Sequence, residues 1–212
     1  MNQNQMQFLK FCLDTQVLLF GDFELKSGKH SPYFFNLGNF FTGSQLTTLA
    51  DYYAAQMQDL EFDIVFGPAY KGIPLASACA QSLAKNGRDV GWAFNRKELK
   101  DHGEGGMFVG MPIKNKKLVV VDDVVSGGVT TREVMPMLKE AGAEVVAMVV
   151  SLDRLEKLDD GLTAIESLKK EFQIPILSIA NANDLVDFVN SHDDIDLTEE
   201  HKQVLFGYIA SL

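Results

Sequence analysis

The sequence predicts an α/β fold in which a central, mostly parallel sheet is flanked by helices. Short runs of branched residues are apolar along their whole length, as strands covered on both faces must be. These runs alternate with longer segments of helical period, the order that builds parallel sheets. A third observation is size. At 212 residues, with 46% hydrophobic and 23% charged side chains, the chain suits one domain with at most a small appendage and can bury a core without disulfides.

Along the chain, Met6, Leu9, Leu13 and Val17 recur at helical spacing, so residues 2–19 predict an amphipathic helix. Thr42 to Gln45 fits a capping box, and Leu46, Leu49, Tyr53 and Met57 then share one face of a second helix. Alternation begins here. Phe62–Phe66 reads as a strand ending in Gly67-Pro68, residues 72–85 as an alanine-rich helix, and Val90–Phe94 as the next strand. Leu118–Val121, a helix from Thr130 to about Gly142 and Val145–Val150 form a second such unit, with Pro136 expected to bend or break the helix. Thr163 and Glu166 cap a further helix, Ile174–Ile179 is a fifth strand, and residues 184–189 and 198–210 carry helical patterns. Residues 95–116 interrupt this order with four glycines, a polar composition and no apolar period. An irregular insert of this length in a compact domain points to function or disorder.

Composition excludes several classes. Nineteen basic against 29 acidic side chains give a net charge of −10, which repels nucleic acid and anionic membrane. No stretch approaches the ~18 apolar residues of a membrane span, and the first twenty residues lack a basic, secretory-type start, so a cytoplasmic location is expected. Cys12 and Cys79 have neither CxxC nor metal-ligand spacing and read as buried thiols in a reducing compartment. The last 32 residues carry seven carboxylates against Lys202 alone, a solvated face.

The chemistry concentrates in residues 118–131, LVVVDDVVSGGVTT. A buried parallel strand would deliver Asp122 and Asp123 at its carboxyl end, where ligands bind in open α/β sheets. Gly127 and Gly128 let the backbone turn N–H groups toward an anion, the following helix adds its dipole, and Ser126, Thr130 and Thr131 offer hydroxyls. This is a phosphate cradle without a Walker lysine. The adjacent carboxylates would hold sugar hydroxyls or a magnesium ion. An ordinary strand-to-helix turn capped by two acids is the alternative, and the complete run argues against it.

That run resembles the fingerprint by which type I phosphoribosyltransferases bind 5-phosphoribosyl 1-diphosphate (PRPP). Four further blocks, residues 23–36 (FELKSGKHSPYFFN), 66–74 (FGPAYKGIP), 95–106 (with NRKE and KDHGEGG) and 151–154 (SLDR), are similar to the orotate-specific branch of that family in order and spacing. The resemblance spans about residues 5 to 180. It implies a type I phosphoribosyltransferase fold with a core at about 50–180 and a small hood from residues 1–49 and the C-terminal segment. It also implies transfer of the phosphoribosyl group from PRPP to orotate, in the synthesis of UMP.

By the same resemblance, Lys26, Phe34, Phe35, Ser126 and Arg154 meet orotate, although core packing is an alternative for at least one of the phenylalanines. An arginine fork suits a carboxylate better than a neutral purine edge. PRPP falls to Lys26, Tyr70 and Lys71, to Arg96, Lys97, Lys100 and His102 of the insert, and to Asp122, Asp123, Val124, Val125, Ser126, Gly127, Gly128, Val129 and Thr130. Val129 stands where the family fingerprint has a small or hydroxyl residue, so the choice among Ser126, Thr130 and Thr131 as phosphate ligand stays open. The catalytic set is Lys71, Arg96, Lys97, Lys100, His102, Asp122 and Asp123. Magnesium is expected mainly on PRPP and water near the two aspartates. The family also implies a homodimer whose insert reaches the neighbouring subunit's site, closing over diphosphate as a mobile loop. A purine or uracil salvage transferase would lack Arg154 and the Lys26 to Phe35 block. A non-catalytic sensor of PRPP would need a DNA-reading element, and the sequence has no basic stripe outside the insert.

Overall fold

The computed structural model describes the whole chain except residues 25–27, 29, 101–105, 126 and 193–194 and the side chains of residues 99 and 100. Helix α1 (Gln3–Asp14) leads into an antiparallel hairpin, β1 (Leu18–Glu24) and β2 (His30–Phe35). After a 3₁₀ turn at Leu37–Asn39 come α2 (Gly43–Gln56), β3 (Ile64–Gly67), α3 (Gly72–Lys85), β4 (Gly91–Lys100) and β5 (Gly106–Gly110). The second half is β6 (Lys117–Val124), α4 (Val129–Glu140), β7 (Glu144–Asp153), α5 (Ala164–Phe172), β8 (Ile176–Asn181), α6 (Ala182–Ser191) and α7 (Glu199–Ala210).

Six strands form the central sheet in the order β5-β4-β3-β6-β7-β8, parallel except for the edge strand β5. Alternate residues of the same strands feed two cores. Val65, Val119, Val121 and Val149 pack under α2, α3, α6 and the terminal segments, while Ile64, Phe66, Leu118, Val120 and Val150 pack under α4 and α5. Both faces are therefore covered, which explains the unbroken apolar runs. The termini join each other: Gln5 Nε2 donates to Asp184 Oδ2 of α6 at 3.1 Å, and the Tyr33 and Tyr208 rings meet edge to face at 6.2 Å. Cys12 and Cys79 are buried free thiols. Among the described residues no helix is long and apolar enough to cross a membrane.

Three expectations are corrected. The first helix stops at Asp14 rather than residue 19, because Gln16 turns into the left-handed region at φ 58°. Val17 is fully buried beyond the helix, so its apolar spacing reflects the core and not helical continuation. The described part of residues 95–116 is mostly strand: β4 continues to Lys100 and β5 returns beside it, with Phe94 opposite Val109 and Asn95 opposite Phe108. Helix α4 runs unbroken through Pro136, whose position is exposed, so water can serve the carbonyl that the missing N–H leaves without a partner.

Candidate active site

The direction of chain progression reverses between β3 and β6. From β3 the chain passes through α3 to β4 on one side, and from β6 through α4 to β7 on the other. Such a switch point opens a crevice at the carboxyl ends of the two strands, the usual ligand site of open α/β sheets.

One wall is the turn from β3 into α3. Gly67 and Gly72 close it so tightly that a Cβ on Gly67 would stand 1.9 Å from the Gly72 carbonyl oxygen, and only glycine fits. The turn contains a cis peptide between Ala69 and Tyr70, and the Ala69 N–H donates to Asn95 Oδ1 of β4 at 3.1 Å. Tyr70 and Lys71 are exposed to solvent, Tyr70 at 68%. The Lys97 ammonium lies 5.2 Å from the Tyr70 ring centroid, and Arg96 and Lys97 line a cleft of about 390 Å³ with Tyr70, Ile73 and Phe94. A larger depression, about 580 Å³, lies at the opposite end of the sheet. Its arginine, Arg88, is occupied by the Met57 and Leu60 carbonyls, so that depression is a poor rival.

The other wall is the carboxyl end of β6. Asp123 Oδ2 accepts from Lys71 Nζ at 2.6 Å, which bridges the two walls, and Asp123 Oδ1 accepts from its neighbour Val124 N at 2.7 Å. Asp122 Oδ1 accepts from Asp123 N at 2.9 Å. Burial, and then the Asp123 charge beside it, push the Asp122 carboxyl up to about 6 against the weaker opposing effects of the Asp123 N–H hydrogen bond and of Lys71. Both main-chain carbonyls are pinned from behind. Tyr53 donates its hydroxyl to the Asp122 oxygen at 2.7 Å, and Ser151 donates its hydroxyl to the Asp123 oxygen at 2.6 Å.

The β6–α4 turn ends in Gly128 at φ 72°, a conformation that favours glycine. Gly128 offers α4 no side-chain cap, and Lys71 offers none to α3, whereas every other described α-helix has one. The two uncapped helix starts therefore follow neighbouring strands into one crevice. Each leaves N–H groups and a positive dipole end for an anion. Val125 and Gly128 are buried, Thr130 is exposed, and Val129 is 66% exposed. Thr131 points the other way: it is buried and its hydroxyl faces the Met148 sulfur.

Arg154, at the end of β7, is nearly buried. Its guanidinium gives Nε and Nη2 to Glu156 Oε1 at 2.9 and 2.6 Å and lies over the Tyr33 ring at 4.9 Å. Tyr208 of α7 donates to the same Glu156 oxygen at 3.1 Å. Strand β2 separates the two phenylalanines singled out in the sequence. Phe35 packs in the core against Phe8, with ring centroids 6.3 Å apart, while Phe34 stacks on Phe23 at 5.4 Å on the other face. Lys26, His102 and Ser126, and the Lys100 side chain, lie outside the described residues. Sequence reasoning gave no site role to Tyr53, Ser151 or Asn95. A tyrosine on an apolar helix face was the available signal, because a buried phenol needs a partner.

Known proteins resemble this chain in sequence and in fold. The model of the phosphoribosyl transferase domain family matches residues 43–175. The orotate phosphoribosyltransferase of Polynucleobacter asymbioticus is 44% identical over 204 residues, covering 93% of this chain and 91% of its own length. That of Thioalkalivibrio sulfidiphilus is 45% identical over 213 residues, covering 99% and 98%. The crystal structure of the orotate phosphoribosyltransferase of Francisella tularensis superposes with a TM-score of 0.86 at 42% identity, covering 97% of this chain and 98% of that one. Likeness in sequence and in fold along nearly the whole length puts this chain in the orotate phosphoribosyltransferase family.

Proposed function

We propose that the crevice between β3 and β6 is where this pentosyltransferase carries out its reaction. Orotate displaces diphosphate from PRPP to give orotidine 5′-phosphate, in pyrimidine biosynthesis. The observation that carries the assignment of the site is the meeting of two uncapped helix starts beside Asp122 and Asp123, bridged by Lys71. PRPP is a sugar with an anion at each end. The α4 start, with Gly127, Gly128, Val129 and Thr130, suits the 5′-phosphate, and the α3 start with Tyr70 and Lys71 suits the diphosphate. Asp122 and Asp123, with the backbone at Val124 and Val125 below them, suit the ribose hydroxyls between.

The transition state has a cationic ribose and a diphosphate gaining charge, so catalysis is positioning and electrostatics without a covalent nucleophile. Lys71 leaves Asp123 for the diphosphate when PRPP enters. That frees the carboxylate for the sugar, and the two acids then face the developing positive charge. Arg96 and Lys97, joined by Lys100 and His102 of the insert, complete the cationic side. Arg154 receives the orotate carboxylate, and the family resemblance assigns Phe34 and Lys26 to orotate as well.

The donor set fits a magnesium ion carried by the substrate. Two adjacent carboxylates are present, one of them paired with Lys71, and the described residues contain no group of three or more His, Cys, Asp or Glu side chains that could hold an ion alone. Asp122 and Asp123 would stand beside that ion, which neutralises diphosphate charge. The same proposal includes a single domain with a hood, a homodimer with shared sites and a cytoplasmic location, the last supported by the two buried free thiols. Orotate loss followed by absorbance, with PRPP and magnesium omitted in turn, tests the reading. Activity is expected only with both, and orotate consumption without PRPP would overturn it.

A further inference from the structure

Arg132 lies in the second turn of α4, behind the β6–α4 turn, and all three nitrogen positions of its guanidinium are engaged. Nη1 donates to the Gly127 carbonyl at 2.7 Å, Nη2 to Ser167 Oγ at 2.9 Å and Nε to Glu171 Oε2 at 2.7 Å. The last two acceptors belong to α5, so one side chain ties the turn to a helix packed against the sheet. The fit is close: a Cβ on Gly128 would stand 3.0 Å from Arg132 Nη1 and 3.0 Å from Leu168 Cδ2. A trans peptide is planar, and its carbonyl and N–H point in opposite directions. Fixing the Gly127 carbonyl toward α5 therefore fixes the Gly128 N–H toward the opposite side of the turn, where an anion would sit.

We propose that Arg132, anchored by Ser167 and Glu171, is a positioning residue that holds the β6–α4 turn in its phosphate-accepting conformation. Arg132 itself touches no substrate. A rigid turn needs no reordering when the phosphate arrives, and preorganisation of this kind appears as affinity. The inference rests on the assignment of this turn to the 5′-phosphate of PRPP.

Ribose 5-phosphate and diphosphate serve as separate probes, each measured as an inhibitor competing with PRPP. Three variants are compared with the parent enzyme: Arg132→Gln; Ser167→Ala with Glu171→Gln, which keeps the arginine but removes its anchors; and Thr130→Glu, which puts a negative charge at the turn. Thr130→Glu should abolish ribose 5-phosphate binding. Arg132→Gln should weaken ribose 5-phosphate at least fivefold and raise the KM for PRPP, while diphosphate inhibition and the KM for orotate stay within twofold. The anchor double variant should move in the same direction by a smaller factor, and it decides the matter if Arg132→Gln does not fold. Intact ribose 5-phosphate binding in Thr130→Glu would overturn the assignment of the turn, and the role of Arg132 with it. A normal response in both Arg132→Gln and the anchor double variant, with Thr130→Glu inactive, would overturn the role of Arg132 alone. Equal weakening of both probes would reduce Arg132 to general stabilisation and also overturn the inference.

Discussion

At Asp122 the fold works against the side chain's ordinary chemistry. Its carboxyl is raised to about 6 by burial and by Asp123, so the folded state binds this proton more tightly than the unfolded state does. The stability it contributes is complete below the ordinary carboxylate range and disappears as pH rises through about 6. Asp122→Asn should therefore stabilise the free enzyme more at pH 8 than at pH 4.5. The difference should be on the order of 1–3 kcal/mol, since one pKa unit corresponds to about 1.4 kcal/mol. Urea unfolding at the two pH values checks this, and the reverse order would mean that the ionised carboxylate is favoured by its surroundings. The same group should give kcat/KM for PRPP an acid limb near pH 6, since a protonated Asp122 is a weaker acceptor for sugar hydroxyls. Arg154 sets the other residue-scale expectation. A charged hydrogen bond to a carboxylate is worth about 1.5–3 kcal/mol, so Arg154→Ala should raise the KM for orotate roughly ten- to hundredfold and leave that for PRPP nearly unchanged. Equal effects on both substrates would remove Arg154 from the orotate end.

Among the elements, the β6 strand end depends on supports far away in the chain. Tyr53 of α2 is fully buried and gives its hydroxyl to the Asp122 carbonyl. Tyr53→Phe leaves that buried acceptor without its donor and should cost about 1–3 kcal/mol of stability. Turnover should fall with it, because Asp122 and Asp123 lose their fixed position; chemical denaturation and kcat measured on the same samples test both effects. Contiguity decided what the sequence made legible. The strand, two acids, glycines and hydroxyls of residues 118–131 lie in one run, so their common purpose could be read directly. Tyr53, Asn95 and Ser151 reach the site only through folding. The β1–β2 hairpin was missed because its alternation is mixed: Ser31, Tyr33 and Phe35 face the core while the intervening positions carry both polar and aromatic residues. The β4–β5 pairing was missed because glycines and charges hid a strand whose regularity comes from its partner.

For the whole molecule, a net charge of −10 is a poor background for two anionic substrates, so the cations Lys71, Arg96, Lys97 and Arg154 must be concentrated at the crevice. In the proposed shared-site dimer, Arg96, Lys100 and His102 of each chain serve the crevice of the other, and Lys97 serves either site. Mixing Lys100→Ala with His102→Ala in one chain and Asp122→Asn with Asp123→Asn in the other should then restore up to roughly a quarter of normal activity, because half the dimers are mixed and half their sites intact. No gain after proven subunit exchange would assign the insert to its own chain. The central claim, that the reaction occurs at the switch point between β3 and β6, is tested most directly by the turnover of Asp122→Asn with Asp123→Asn. This is measured as orotate consumption at saturating PRPP, with the fold checked by circular dichroism. Turnover is expected to fall by orders of magnitude on an intact fold, and near-normal turnover in that variant would contradict the account.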